Sequence, residues 1–138
     1  AAGALCELLR CKAGMRWLLF EGTRFVGRSS VPMAHTQVYI PAAYGAIRQY
    51  IGSLKVAIYT LIEKYFDERI VEARQEIGAV PLPAKIARLL HVRPGSAGLS
   101  ITRHYFGADD RLLEVAVNLH PTLDRYRYSM RLRLESQA

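Results

Sequence analysis

The sequence predicts an α+β domain: one mostly antiparallel sheet with helices laid against it. Three observations carry that expectation. Runs of period-2 alternation come in neighbouring pairs, 16–26 with 33–40 and 99–106 with 112–120, as hairpins do. Helical stretches flank those pairs, the arrangement of a sheet with one face packed by helices. A faint repeat also runs through the chain. Leu9, Gly14, Leu18 and Phe20 align with Leu90, Gly95, Leu99 and Ile101 at an offset of 81, and Tyr39 and Pro41 with Leu119 and Pro121 at 80. A pseudo-symmetric sheet of two related halves leaves that trace.

The elements follow in order. Ala4, Leu5, Leu8 and Leu9 mark an opening helix that stops before Gly14, a C-terminal signal. Residues 16–26 read as a strand, 28–32 as a turn and 33–40 as a second strand. Pro41 closes it, because proline cannot donate to the ladder. Residues 42–50 read as a short helix. The clearest helix spans 54–66, with Leu54, Ile58, Leu61 and Tyr65 at i, i+4, i+7 and i+11. Residues 69–80 alternate weakly and read as a strand. Pro81 and Pro83 punctuate the entry to a helix whose buried side is Ile86, Leu89 and Leu90. Pro94-Gly95 is a turn. Strands are expected over 99–106, 112–120 and 125–134, with Asp109-Asp110 turning between the first two.

A chain of 138 residues fits one domain, 1–138, and buries enough surface to need no staple. No apolar run reaches the roughly 18 residues of a membrane helix, and no signal-peptide pattern is present. The chain opens at Ala1, without an initiator Met, inside the first helix, which suggests a fragment of a longer protein. The net charge of +7 invites a nucleic-acid reading. However, the basic residues are scattered and no recognition motif accompanies them, so a solvated basic surface is expected. Cys6 and Cys11 lie five apart, a spacing that does not stack them on a helix. They read as reduced thiols of a cytosolic protein, and no second Cys or His pair completes a metal site.

Strand faces locate the chemistry. Leu113, Val115, Val117 and Leu119 form one apolar face of their strand. Leu112, Glu114, Ala116, Asn118 and His120 form the other, so a carboxylate and an imidazole share a face. Arg103 sits among Leu99, Ile101 and Tyr105; Arg24 sits among Leu18, Phe20 and Val26. A guanidinium on such a face needs a carboxylate partner or an anionic ligand, and its planar fork suits carboxylate or phosphate. Glu114 is the obvious partner for Arg103. In the last strand Arg125, Arg127, Arg131 and Arg133 point one way and Tyr126, Tyr128, Met130, Leu132 and Leu134 the other. The motifs of α/β-hydrolases, zinc proteases, P-loop proteins and dinucleotide-binding folds are absent.

The run AKIARLLHVRPGSAGLSITRHYF, then LLEVAVN, then DRYRY, resembles the UTRA domain, the effector-binding half of HutC-type repressors in the GntR superfamily. The matching features are Leu90, Pro94-Gly95-Ser96, Arg103, Glu114 and Asp124-Arg125-Tyr126. The first half joins through Arg24, Pro32 and Tyr39-Ile40-Pro41. The resemblance implies a chorismate-lyase-like sheet, a small-molecule effector, a homodimer and no catalysis, cofactor or metal. It also implies a cytoplasmic regulator that reaches DNA only through an N-terminal winged helix-turn-helix, which is not in this sequence. The fold's other known use makes a lyase acting on a small carboxylate the alternative.

The ligand-binding residues the resemblance implies are Arg24, Thr36, Tyr59, Arg103, Glu114 and His120. In the family's amino-sugar-phosphate sensors an Arg at the Arg24 position contacts phosphate. Here Val26 replaces a second Arg, Thr36 a Glu, Ala57 a Ser and His120 a Tyr. Those losses remove donors for a dianion and an acceptor for sugar hydroxyls. The expected effector is therefore smaller or less charged, a carboxylate or other anion held by Arg24 with His120 or Tyr59.

Overall fold

The computed structural model describes residues 3–25, 28–51 and 57–135. Five strands form one antiparallel sheet: β1 (Trp17–Phe25), β2 (Pro32–Pro41), β3 (Glu72–Pro81), β4 (Ala97–Phe106) and β5 (Leu112–Pro121), in the order β1-β2-β5-β4-β3. Among the described residues three α-helices accompany it: α1 (Ala4–Leu9), α2 (Ile58–Phe66) and α3 (Ala84–Leu89). The α+β expectation holds. Residues 42–50 form a 3₁₀ helix. Leu54, the start expected for the clearest helix, and Val26, the end expected for the first strand, lie outside the described residues.

The repeat is real in three dimensions. The units α1-β1-β2 and α3-β4-β5 match element for element, and α3, β4 and β5 each begin 80 residues after their counterparts. β2 and β5 pair antiparallel at the centre, with Gln37 opposite Val117. Both helices drive a terminal leucine into the same side of the sheet. Leu9 packs on Tyr39 and Val115, and Leu90 packs with Leu82, Ala87 and Leu119. The expected buried side of α3 is corrected at Leu89, which is exposed, while Ala87 is buried in its place. Leu90 ends the helix and Ala87 sits one turn back, so the inward stripe runs through 86, 87 and 90.

The other face carries the second core. Ile40, Ile47, Leu61 and Ile62 are buried there, flanked by Leu18, Phe20 and Val38. The 3₁₀ segment and α2 therefore cover one end of that face and leave the other end open. Gly107 donates to Arg111 across the β4–β5 turn, where Asp109 and Asp110 take left-handed φ of 58° and 55°, a region Asp enters more readily than most residues.

Residues 125–134 form no strand. Thr122 to Arg125 is a turn, and no regular structure follows it among the described residues. Alternation makes a strand only where a sheet edge accepts it. Here Arg125 donates instead to the carbonyls of Leu90, His91 and Pro32. That anchor turns the segment across the sheet face rather than along an edge.

Gly98 shows how tightly Leu82, just before α3, packs on β4. A Cβ there would lie 2.5 Å from Leu82 Cδ2 and 3.2 Å from the His120 carbonyl oxygen. Overpacking a full interior forces side-chain and backbone shifts. Gly98→Ala is expected to cost about 1–3 kcal/mol, read as a lower urea midpoint with an unchanged slope.

Candidate functional site

The open end of the α2-bearing face is a cavity of about 300 Å³. Arg24 and Phe25 come from β1, Met33 and Ala34 from β2, Asn118 and His120 from β5, and Ile101 and Arg103 from β4. Tyr126 and Tyr128 close it from the segment after β5. The register explains why these side chains meet. Arg24 pairs with Ala34, Thr36 with Asn118, Asn118 with Ile101, and Arg103 with Ala116, and residues directly opposite in a ladder project on the same side. Among the described residues, two guanidinium groups line this cavity and no carboxylate does.

Each polar group is held in a defined state. His120 is buried, and its Nδ1 lies 2.9 Å from the Met33 carbonyl oxygen. A carbonyl only accepts, so Nδ1 carries the proton and Nε2 is left as an acceptor. Burial holds His120 below its ordinary pKa, the Met33 bond opposes that shift, and the Arg24 charge reinforces it. The ring stacks on Tyr126 at 3.7 Å. Thr36 Oγ1 donates to Asn118 Oδ1 at 2.6 Å, which leaves the Asn118 amide free to donate. Arg103 Nε donates to Gln75 Oε1 at 2.5 Å, and Gln75 Nε2 donates to the Tyr128 hydroxyl at 3.0 Å. Arg24 is exposed and has no acceptor among the described residues.

The six residues expected in the site divide. Arg24, Arg103 and His120 line the cavity, and Thr36 reaches it through Asn118. Tyr59 and Glu114 stand behind it. The Tyr59 ring stacks on Tyr105 at 4.7 Å, and the Tyr59 backbone N–H donates to Glu114. The expected Arg103–Glu114 pair does not form. Arg103 stands opposite Ala116, and Glu114 opposite Tyr105. Gln75, directly across β3, takes the Arg103 Nε instead. Glu114 is 3% exposed with Oε1 unpartnered, and burial raises its carboxyl to about 7. Among the described residues no three His, Cys, Asp or Glu side chains converge as a metal site would need.

The UTRA domain family model matches residues 1–127. The chain belongs to the UTRA domain family. Solved structures agree. The ligand-binding domain of a chain described as a GntR-family transcriptional regulator from Bordetella bronchiseptica is 27% identical. It matches over 96% of this chain and 85% of that one, with a TM-score of 0.76. A GntR-family transcriptional regulator from Enterococcus faecalis V583 is 21% identical, with 92% and 88% coverage and a TM-score of 0.77. PhnF from Mycobacterium smegmatis is 17% identical with a TM-score of 0.78, over 98% of this chain and 58% of that one; at such identities the last two bear on the fold alone. No curated protein matches the chain. This UTRA domain is thus a ligand-sensing regulatory domain of the kind GntR-family transcription regulators carry.

Sequence reasoning left Asn118, Tyr126 and Tyr128 out of the site. Asn118 was visible, lying between Glu114 and His120 on one face. Tyr126 was visible in the Asp124-Arg125-Tyr126 motif, and Tyr128 only as the apolar side of a strand. Their role depends on the Arg125 anchor, which binds carbonyls and so leaves no mark in the side-chain pattern.

Proposed function

We propose that this UTRA domain senses a small anionic effector, a carboxylate before a dianionic sugar phosphate, bound in the cavity between Arg24 and Arg103. One observation carries the reading. Among the described residues, two permanent positive charges and no acidic side chain line the cavity, and one of those charges has no acceptor. Arg24 and Arg103 bind the anion, the Asn118 amide donates to it, and His120 Nε2 accepts from a hydroxyl or N–H elsewhere on the effector. Tyr126 and Tyr128 supply apolar contact.

The domain works as one part of a longer, cytoplasmic, homodimeric regulator of the HutC type, in which the whole of 1–138 is the sensor and DNA contact belongs to a separate N-terminal winged helix-turn-helix. That assignment rests on the family. It gives the domain a regulatory role rather than a catalytic one, and nothing among its relatives supports the lyase alternative. The effector acts by linkage, binding one arrangement of the regulator better than the other.

A thermal-shift screen of small carboxylates, sugars and sugar phosphates tests the ligand class, since a true effector raises the melting temperature by mass action. For a carboxylate hit, Arg24→Ala is expected to weaken binding about 10- to 100-fold, as losing a charged hydrogen bond of about 1.5–3 kcal/mol requires. A tight, saturable titration with a hexosamine phosphate, abolished by Arg24→Ala, would overturn the carboxylate assignment.

A further inference from the structure

The two cysteines stand together, contrary to their helical spacing. Helix α1 ends at Leu9, and Arg10 turns left-handed at φ 50°, ψ 44°. The Arg10 N–H then donates to the Glu7 carbonyl at 3.3 Å and the Cys11 N–H to the Cys6 carbonyl at 3.1 Å. Those two bonds make a Schellman turn, in which the residue after the left-handed one folds back over the residue five before it. A hydrophobic contact usually fills that place. Here both places are held by cysteines, so the turn brings two thiols side by side. Both are reduced and partly exposed. The Cys11–Cys6 backbone bond is compatible with the roughly 4.4–6.8 Å Cα separation that a disulfide spans.

We propose that Cys6 and Cys11 form a peroxide-responsive dithiol, a reversible redox site on the side of the sheet opposite the effector cavity. The chemistry balances with a hydroperoxide as the oxidant. One thiol attacks the peroxide: the O–O bond breaks, an S–O bond forms, and a sulfenic acid and an alcohol or water result. The second thiol then attacks that sulfur, the S–O bond breaks, water leaves and the disulfide closes. Two thiols are oxidised by two electrons and one hydroperoxide is reduced.

Either thiol can meet the oxidant, and its neighbour across the turn resolves the sulfenic acid. Cys11 packs against the cluster of Leu9, Tyr39 and Val115. Closing the bond therefore fixes the end of α1 against β2 and β5. The site is independent of the effector reading, because none of its residues lines that cavity.

The test is peroxide treatment of the purified chain, with thiol titration, intact mass and non-reducing electrophoresis. The expected product is a monomer lacking two hydrogen atoms and both titratable thiols, restored by dithiothreitol. It should form at a rate independent of protein concentration, and about tenfold slower in urea, where the turn that raises the local thiol concentration is lost. Either single variant, Cys6→Ser or Cys11→Ser, should form no intramolecular disulfide and should leave a sulfenic acid on the remaining thiol that dimedone traps. Intermolecular disulfides as the main product, independent oxidation of the two thiols, or equal rates folded and unfolded would each overturn the proposal.

Discussion

Glu114→Gln is expected to stabilise the domain by about 3 kcal/mol more at pH 8 than at pH 4. The wild-type carboxyl is buried beneath Tyr59 and Tyr105 and is raised from 4.5 to about 7, chiefly by burial. Between those values the folded chain keeps a proton that the unfolded chain has released. The folded state binds more protons there, so stability falls as pH rises through that window and levels off above about 7. Gln stays neutral throughout and can still accept the Tyr59 N–H. His120 works in the opposite sense. Its pKa is lowered by burial, so its contribution is lost as pH falls. That term is common to both proteins and cancels in their difference. Urea unfolding of both chains from pH 4 to pH 8 reads the effect, and parallel pH profiles would sink it.

The same residue shows where sequence reasoning stops. Alternation correctly placed Glu114, Asn118 and His120 on one face and Arg103 on the matching face of the next strand, because period 2 is a property of the backbone. It could not give register. Arg103 and Glu114 are close in a hairpin picture, yet each faces a different residue across the ladder, Ala116 and Tyr105. The Thr36–Asn118 bond depends likewise on how β2 meets β5, 82 positions apart. Local signals did better. Pro94-Gly95 and Asp109-Asp110 turn where expected, with positive φ at Gly95 and at both aspartates.

Two errors came from treating a pattern as if it acted alone. Residues 125–134 have strand alternation, but the Arg125 anchor sends them over the cavity, where Tyr126 meets His120. Cys6 and Cys11 were separated by assuming a helix that runs on to residue 11, whereas the chain leaves it at Arg10. A left-handed Arg carries no sequence mark of the kind glycine gives. The family resemblance supplied what neither pattern could, the expectation that this face carries a ligand pocket at all.

Ile62→Ala is expected to cost about 2–5 kcal/mol, far more than Leu89→Ala on α3. Ile62 has no exposed surface, and Leu89 is 41% exposed. Helix α2 has nine residues, and Ala57 before its first turn supplies no side-chain cap. So short a helix is marginal in water, and packing of its apolar face must hold it. That packing is the cluster of Ile40, Ile47, Leu61 and Ile62, and a void there removes contacts that a rigid sheet cannot restore by collapsing. The consequence reaches the site through the first turn of α2. Tyr59 stacks on Tyr105, and its N–H holds Glu114. Loosening α2 thus lets water reach Glu114, and the carboxyl falls back toward its ordinary range. The destabilised variant should therefore also lose part of the fall in stability between pH 4 and pH 8. Urea midpoints for Ile62→Ala and Leu89→Ala, each at both pH values, test the two claims together. An Ile62→Ala loss no larger than that of Leu89→Ala would show that packing does not hold α2 in place. A full loss with an unchanged pH profile would show that α2 is held by packing but does not control the protonation of Glu114.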